Sequence, residues 1–208
     1  LHLYASEKSA GSSINFKNQN LIIEQLSEKS FDKIDIALFS AGGNISKKYA
    51  PIATKANCTV IDNSSAYRMD PNIPLIIPEI NGDLLTEYSI SNKTGIIANP
   101  NCTTIVLLMA ITPIHNKYGV KRIVLSTYQA VSGAGATAID ELKIQTQDVL
   151  AGNNPAKNVF SEQCAFNVFS HDSDMCDDGY NLEEHKVVNE TRKIWNTNSV
   201  KITATCIR

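Results

Sequence analysis

Along this chain the spacing of apolar residues switches repeatedly between the two-residue period of a strand and the 3.6-residue period of a helix. That alternation constrains the fold more than any single residue does. "DKIDIALFSAGG" is a nearly continuous apolar run closed by two glycines, which predicts a strand buried on both faces and ending in a turn. "NISKKYAPIATKAN" follows with helical spacing and an internal proline, and "CTVIDNSS" returns to a strand. Strand, helix and strand at this spacing make a parallel βαβ unit. Ligands of such units bind beyond the carboxyl ends of the strands, here Ser40–Gly43 and Asp62–Arg68.

The pattern continues. "NKTGIIANPNC" reads as a strand, Thr103 to His115 as a buried helix, and "VKRIVLSTYQAVSGAG" as a β-branched strand running into a glycine pair. "TAIDELKIQTQDVL" is an amphipathic helix. Residues 152 to 179 are polar and irregular, and their sequence assigns no element. "NLEEHKVVNETRKIW" is a helix with Asn181 as N-cap and Glu183 and Glu184 in its first turn, where the macrodipole favours acids. "LHLYA" and "VKITATCIR", at the two ends, both read as strands without a partner element beside them. We therefore expect a chain cut at both ends.

Bulk properties narrow the function. At 208 residues the chain can bury one large core or two modest ones without staples. The longest apolar stretch, 103–114, is far short of the roughly 20 residues a membrane span needs, so no transmembrane segment is expected. A net charge of −2 with scattered Lys and Arg lacks the basic footprint of a nucleic-acid binder, which favours a small-molecule partner. The five cysteines form no CxxC pair, arguing against a disulfide framework or a zinc site and for a reducing, cytoplasmic setting. The four histidines show no metal-ligand spacing, no metal is expected, and His171 and His185 are expected to face solvent.

Chemistry is suggested first by Cys102. A thiol at the first turn of a helix meets backbone N–H groups and the positive end of the dipole, which stabilise the thiolate. Its neighbours Asn101, Thr103 and Thr104 are polar, unlike those of a core cysteine. Arg68, beyond a parallel strand, could hold a phosphate or carboxylate or simply pair with Asp70. Gln129 breaks a strand pattern, either as a satisfied core amide or as a positioning group. Glu183 and Lys186 share a helix face, where they could grip a zwitterion or form an ordinary surface ion pair.

Six strings, "ALFSAGG", "VIDNSSAYRMD", "NPNCTT", "TYQAVSGAG", "EEHKVVNETRKI" and "TATCIR", resemble the signatures of the aspartate-semialdehyde dehydrogenase family, in the family's order. The resemblance implies an α/β fold: a Rossmann-type parallel-sheet domain at 1–101 that binds NADP, truncated at its start, then a mixed α+β catalytic and dimerisation domain at 102–208, truncated at its end. It implies NADPH-dependent reductive dephosphorylation of L-aspartyl-4-phosphate to L-aspartate 4-semialdehyde, towards lysine, threonine, methionine and isoleucine, by a homodimer. By the same resemblance Cys102 is the nucleophile that forms a thioester, later reduced through a thiohemiacetal, and Gln129 orients the substrate. Arg208 binds the substrate carboxylate, Glu183 meets its amino group, and Arg68 and Lys186 bind phosphate with Asn101 close by. Ser6, Lys8 and Ser9 occupy the place that holds the 2′-phosphate of NADP, with lysine where arginine is usual. Ser40, Ala41, Gly42, Ser132 and Gly133 are further cofactor contacts. The family's glycine-rich loop and catalytic histidine would lie outside 1–208. N-acetyl-glutamyl-phosphate reductase shares this chemistry, but normally has glycine where Asn101 precedes the thiol. A noncatalytic relative keeping the fold is the remaining alternative.

Overall fold

The computed structural model describes residues 1–86 and 95–208. It divides into two compact units, Leu1–Asn101 and Cys102–Arg208.

In the first unit β1 (Leu3–Ala5) lies parallel to β3 (Gln19–Gln25), and β2 (Ser13–Phe16) runs antiparallel to β3. The β2–β3 hairpin is not announced by its apolar pattern. Its two-residue turn, Lys17 and Asn18, has φ of 48° and 63°, the left-handed pair that matches the twist of the strands but is usually signalled by Asn-Gly. A second sheet contains β4 (Ile36–Phe39), β5 (Thr59–Asp62) and β6 (Ile96–Ala98), all parallel in the order 4-5-6. Helix α1 (Gly43–Lys55) connects β4 to β5, completing the expected βαβ unit. Phe31, Phe39, Ala50, Ala53, Cys58, Val60 and Ile96 form the core between helix and sheet. A short helix, α2 (Pro78–Asn81), follows β5. Of the strand expected in "NKTGIIANPNC", residues 92–94 lie outside the described residues.

The expectation that β4 is buried on both faces is not met. Ile36 and Leu38 are 60% and 78% exposed, while Phe39 is buried. Side chains alternate along the strand, and only the face carrying Ala37 and Phe39 meets the core, while Ile36 and Leu38 point to the other.

The second unit starts with α3 (Cys102–Tyr118), followed by β7 (Arg122–Tyr128), α4 (Ala136–Leu150), α5 (Leu182–Ile194) and β8 (Lys201–Ile207). Strands β7 and β8 pair in parallel from Arg122–Lys201 to Tyr128–Ile207. Val187, Ala204 and Cys206 form a core with Leu107 and Leu125 against them. Helix α3 is apolar nearly all round, yet it is not the fully buried helix its composition predicts. Only the stripe Thr104, Leu108 and Thr112 is buried, whereas Val106 is 73% exposed, because packing covers one face alone.

The irregular stretch 152–179 is held by two buried polar side chains of α4. Glu141 accepts hydrogen bonds from the backbone N–H groups of Asn158 and Val159, both at 2.7 Å. Gln145, 1% exposed, donates to Ala156 O and accepts from the N–H groups of Cys164 and Ala165. A loop without its own ladder must satisfy its buried backbone groups elsewhere, and α4 supplies those partners.

Asn181 caps α5 as expected. Its side chain accepts from Glu184 N–H, and the Glu184 carboxylate returns a bond to Asn181 N–H, closing a capping box. The other Glu184 oxygen accepts from Cys206 N–H at 2.9 Å, so one carboxylate ties the start of α5 to β8.

Candidate functional site

Cys102 opens α3 and is exposed, as a nucleophile must be and a packing cysteine is not. Buried Cys58 and Cys206 make the contrast, since burial pushes both of those thiols above their ordinary range.

Beside the thiol lies a continuous polar network. Gln129 follows the last residue of β7 and is anchored there by its backbone N–H on Ile207 O, the last residue of β8. Its side-chain Nε2 donates to Thr103 Oγ1 at 3.0 Å and to Glu183 Oε1 at 3.1 Å. Glu183 Oε2 in turn accepts from Lys186 Nζ at 3.0 Å. The Glu183 side chain is only 6% exposed, so this is not an ordinary surface pair. Three expected site residues, Gln129, Glu183 and Lys186, are thus joined to the residue after Cys102. Both amide hydrogens of Gln129 are committed, which leaves its carbonyl oxygen to address a ligand.

Arg208 follows the last residue of β8, next to this network, with a side chain 7% exposed. Its Nε donates to Asp172 Oδ1 at 2.5 Å, one Nη1 hydrogen goes to Ala130 O at 3.1 Å, and Nη2 lies 3.0 Å from His171 Nε2. The guanidinium also sits over the Phe160 ring, 5.2 Å from its centroid. Among the described residues three of its five N–H groups are engaged, leaving one on each terminal nitrogen, a fork whose geometry can receive a carboxylate. Gly133 lies here as well: a Cβ built on it would come within 3.8 Å of Arg208 Nη1.

His171 is a correction. Its side chain is 9% exposed rather than facing solvent, and burial, aided by the Arg208 charge, lowers its pKa despite nearby Glu183. Its Nε2 faces Arg208 Nη2 at 3.0 Å, while Nδ1 accepts from Ser173 N–H at 3.1 Å and lies 3.1 Å from Ser173 Oγ, so both ring nitrogens are engaged. Burial opposes ionisation of Asp172, but the Arg208 hydrogen bond and charge outweigh it and hold the carboxyl below its ordinary range. Sequence reasoning did not find Asp172 or His171 as partners of Arg208. Asp172 and Arg208 are 36 positions apart, too far for any local signal of the contact. His185 is half-buried, with Nε2 at 3.2 Å from Asp178 Oδ1.

In the first unit Arg68 is 8% exposed, and its Nε and Nη2 donate to Asn99 O and Asn63 O, both at 2.9 Å. Asn99 Nδ2 donates to Asn63 Oδ1 at 2.7 Å, so the loops after β5 and β6 are stitched through these residues. Buried Asp62 braces the same loop, accepting from Ser46 Oγ, Ser64 N–H and Ser64 Oγ. Asn101 is buried at the end of this unit. Ser6, Lys8 and Ser9 are exposed on the turn leaving β1, a turn closed by Ser9 N–H on Ser6 O. Ser40, Ala41 and Gly42 lie between β4 and the N-terminus of α1. Gly42 has φ of 85°, a conformation that favours glycine. Ser132 and Gly133 belong to a 3-10 turn before α4, in the second unit.

Among the described residues no helix is long and apolar enough to cross a membrane. The family model for the semialdehyde dehydrogenase NAD binding domain matches residues 1–88, and that for the semialdehyde dehydrogenase dimerisation domain matches residues 111–208. An aspartate-semialdehyde dehydrogenase of Aquifex aeolicus is 50% identical over 100% of this chain and 61% of its own length. The crystal structure of aspartate semialdehyde dehydrogenase II from Vibrio cholerae, complexed with ASA, is 44% identical with a TM-score of 0.94, over 100% of this chain and 61% of that one. At 19% identity, the enzyme of Candida albicans solved with NADP shares the fold, with a TM-score of 0.66 over 100% of this chain and 60% of that one. The chain therefore spans about three-fifths of the length of these relatives.

Proposed function

This chain belongs to the aspartate-semialdehyde dehydrogenase family, and from that premise we propose that it carries the nucleophile and most of the substrate-binding groups for reductive dephosphorylation of L-aspartyl-4-phosphate to L-aspartate 4-semialdehyde. The observation that carries the reading is the Gln129 amide, hydrogen-bonded at once to Thr103, beside exposed Cys102, and to Glu183. Cys102 Sγ attacks the acyl carbon, the carbon–oxygen bond to phosphate breaks, and a thioester forms as inorganic phosphate leaves. The thiolate divides one difficult acyl transfer into two easier steps. Gln129 orients the acyl group, and Glu183 receives the substrate ammonium. The two uncommitted N–H groups of Arg208 clasp the substrate carboxylate. Arg68 and Lys186, with Asn101, bind the phosphate.

The donor set of Ser6, Lys8 and Ser9, hydroxyls and an ammonium, fits the 2′-phosphate that distinguishes NADP from NAD. Ser40 to Gly42, leading into the N-terminus of α1, and the Ser132–Gly133 pair fit further parts of that cofactor. Bound there, it supplies the hydride that takes the thioester to the aldehyde level. We place the protein in the cytoplasm as a homodimer formed through its 102–208 domain.

The test is to incubate the chain with aspartyl phosphate and examine it by intact and peptide mass spectrometry, with Cys102→Ser as control, while following alkylation of all five cysteines across pH. An acyl adduct on Cys102 and faster labelling of that exposed thiol than of the other four are expected. A chain extended to the length of its relatives should form NADPH from aspartate semialdehyde and phosphate, and Cys102→Ser should abolish this. No adduct, no activity in the extended protein, and labelling of Cys102 no faster than of Cys164 or Cys176 would overturn the proposal.

A further inference from the structure

Away from the Gln129 network, where the loop before α5 meets the first turns of that helix, Cys176 Sγ, a carboxylate oxygen of Asp178 and a ring nitrogen of His185 converge to within 4.8 Å of one another. We propose that these residues form a transition-metal site of the zinc class, three protein ligands with a fourth position open to water. This goes beyond the catalytic reading and does not depend on it. It also departs from the expectation drawn from sequence spacing, which looked only for paired cysteines or clustered histidines.

The ligand chemistry selects the metal. A thiolate and an imidazole beside one carboxylate suit Zn2+ far better than Mg2+ or Ca2+, which prefer oxygen. Thiolate and carboxylate together also neutralise a divalent charge, the thiol proton going to solvent as the metal binds. Geometry agrees for two of the three ligands. Zn–N and Zn–O distances of about 2.0–2.2 Å in a tetrahedron put the N and O ligands about 3.4 Å apart, and His185 Nε2 and Asp178 Oδ1 stand 3.2 Å apart. Thiolate-containing edges of such a tetrahedron are about 3.6 Å, so the sulfur, within 4.8 Å of both partners, has at most about 1.2 Å to close, which rotation about its Cα–Cβ bond supplies.

The backbone around the ligands is fixed by contacts that need no metal. Cys176 N–H donates to Tyr180 O at 2.8 Å, Gly179 N–H donates to Cys176 O at 3.0 Å, and Met175 and Asn181 form an antiparallel bridge at the base of the loop. Gly179 turns the chain with φ of 82°. Asn181 is also the buried N-cap of α5, so the residue that closes the loop sets the start of the helix carrying His185. Tyr180 N–H donates to Asp178 Oδ1 at 3.2 Å, an outer contact of the kind that orients a ligating carboxylate. An imidazole–carboxylate pair alone would account for His185 and Asp178. It gives no reason for the thiol beside them.

The experiment is a Co2+ titration of the metal-stripped chain in the Cys102→Ser background, which removes the exposed competing thiol, followed by back-titration with Zn2+. One Co2+ per chain is expected, with a thiolate-to-cobalt charge-transfer band and tetrahedral visible absorption, both removed by Zn2+. Adding Cys176→Ser should abolish the charge-transfer band, and His185→Gln should raise the apparent Kd by about tenfold or more. Thermal melts of the metal-free variants, unchanged from the background, show that loss of binding is not loss of fold. If no thiolate band appears, if it survives Cys176→Ser, or if His185→Gln binds as tightly as the background, the site does not exist.

Discussion

Removing the charge of Asp172 should weaken the second unit by an amount that depends on pH. The Arg208 side chain is 7% exposed, and its one anionic partner among the described residues is Asp172, whose side chain is 32% exposed. A hydrogen bond to a charged group contributes about 1.5–3 kcal/mol and a neutral one about 0.5–1.5 kcal/mol. Asp172→Asn keeps an acceptor for Nε but loses the charge, so a loss of about 1–2 kcal/mol is expected at pH 7, and about 2–3 kcal/mol for Asp172→Ala. The sign of the pH effect follows from the depressed pKa of Asp172. Its contribution is complete above the unfolded-state pKa, about 3.9, and is lost as pH falls through the lower folded-state value. His171, whose pKa is also lowered, weakens both proteins as pH falls below about 6.5, because the unfolded chain takes up a proton that the folded chain refuses. The difference between wild type and Asp172→Asn therefore reports the carboxylate together with its charge coupling to His171. Urea unfolding followed by the fluorescence of Trp195, the one tryptophan of the chain, reports on this unit. The gap should be widest at neutral pH and shrink as pH drops below 4. A gap of the same size at pH 7 and pH 3, or none at pH 7, would refute the assignment of Asp172 as the anion that compensates Arg208.

Two further substitutions test the supports of the site. Gln145→Leu removes the acceptor of the Cys164 and Ala165 N–H groups and the donor to Ala156 O, so it should cost about 2–3 kcal/mol. Its hydrogen exchange should accelerate at residues 164 and 165, with the amides of β7 much less affected. Asn181→Ala deletes the cap of α5 and should cost about 1–2 kcal/mol in the same fluorescence assay, with faster exchange at Glu184 N–H.

What the sequence revealed depended on how local the signal was. The βαβ unit, the helix starting at the thiol and the N-cap at Asn181 are each written in one continuous run of neighbouring residues, and each is found where its pattern puts it. The β2–β3 hairpin was missed because Lys17-Asn18 adopts a turn conformation that its residue types only weakly announce. The burial of β4 and α3 was overestimated because an apolar sequence shows what can be covered, while exposure depends on which face a neighbour reaches. Residues 152–179 were illegible because Glu141 and Gln145, which order them, lie on a helix where both look like ordinary polar surface residues.

The candidate site divides along the same line. Cys102, Gln129, Glu183 and Lys186 each stand in a short recognisable string, and the structure joins the last three through hydrogen bonds that no string contains. Asp172 and His171 lie in the stretch without regular pattern, so their role around Arg208 follows only from the fold. The parallel pairing of β7 and β8 brings Gln129 and Arg208 to the same strand ends, since Tyr128 faces Ile207 in the register. A one-residue slip of β8 would turn Arg208 to the opposite face and separate it from Ala130 and Asp172. Glu184, through its bond to Cys206 N–H, and Asn181, through the cap, hold that register against α5. The geometry of the site is thus set by side chains that touch no ligand. Their loss should reach the chemistry by displacing Arg208 and Glu183 together.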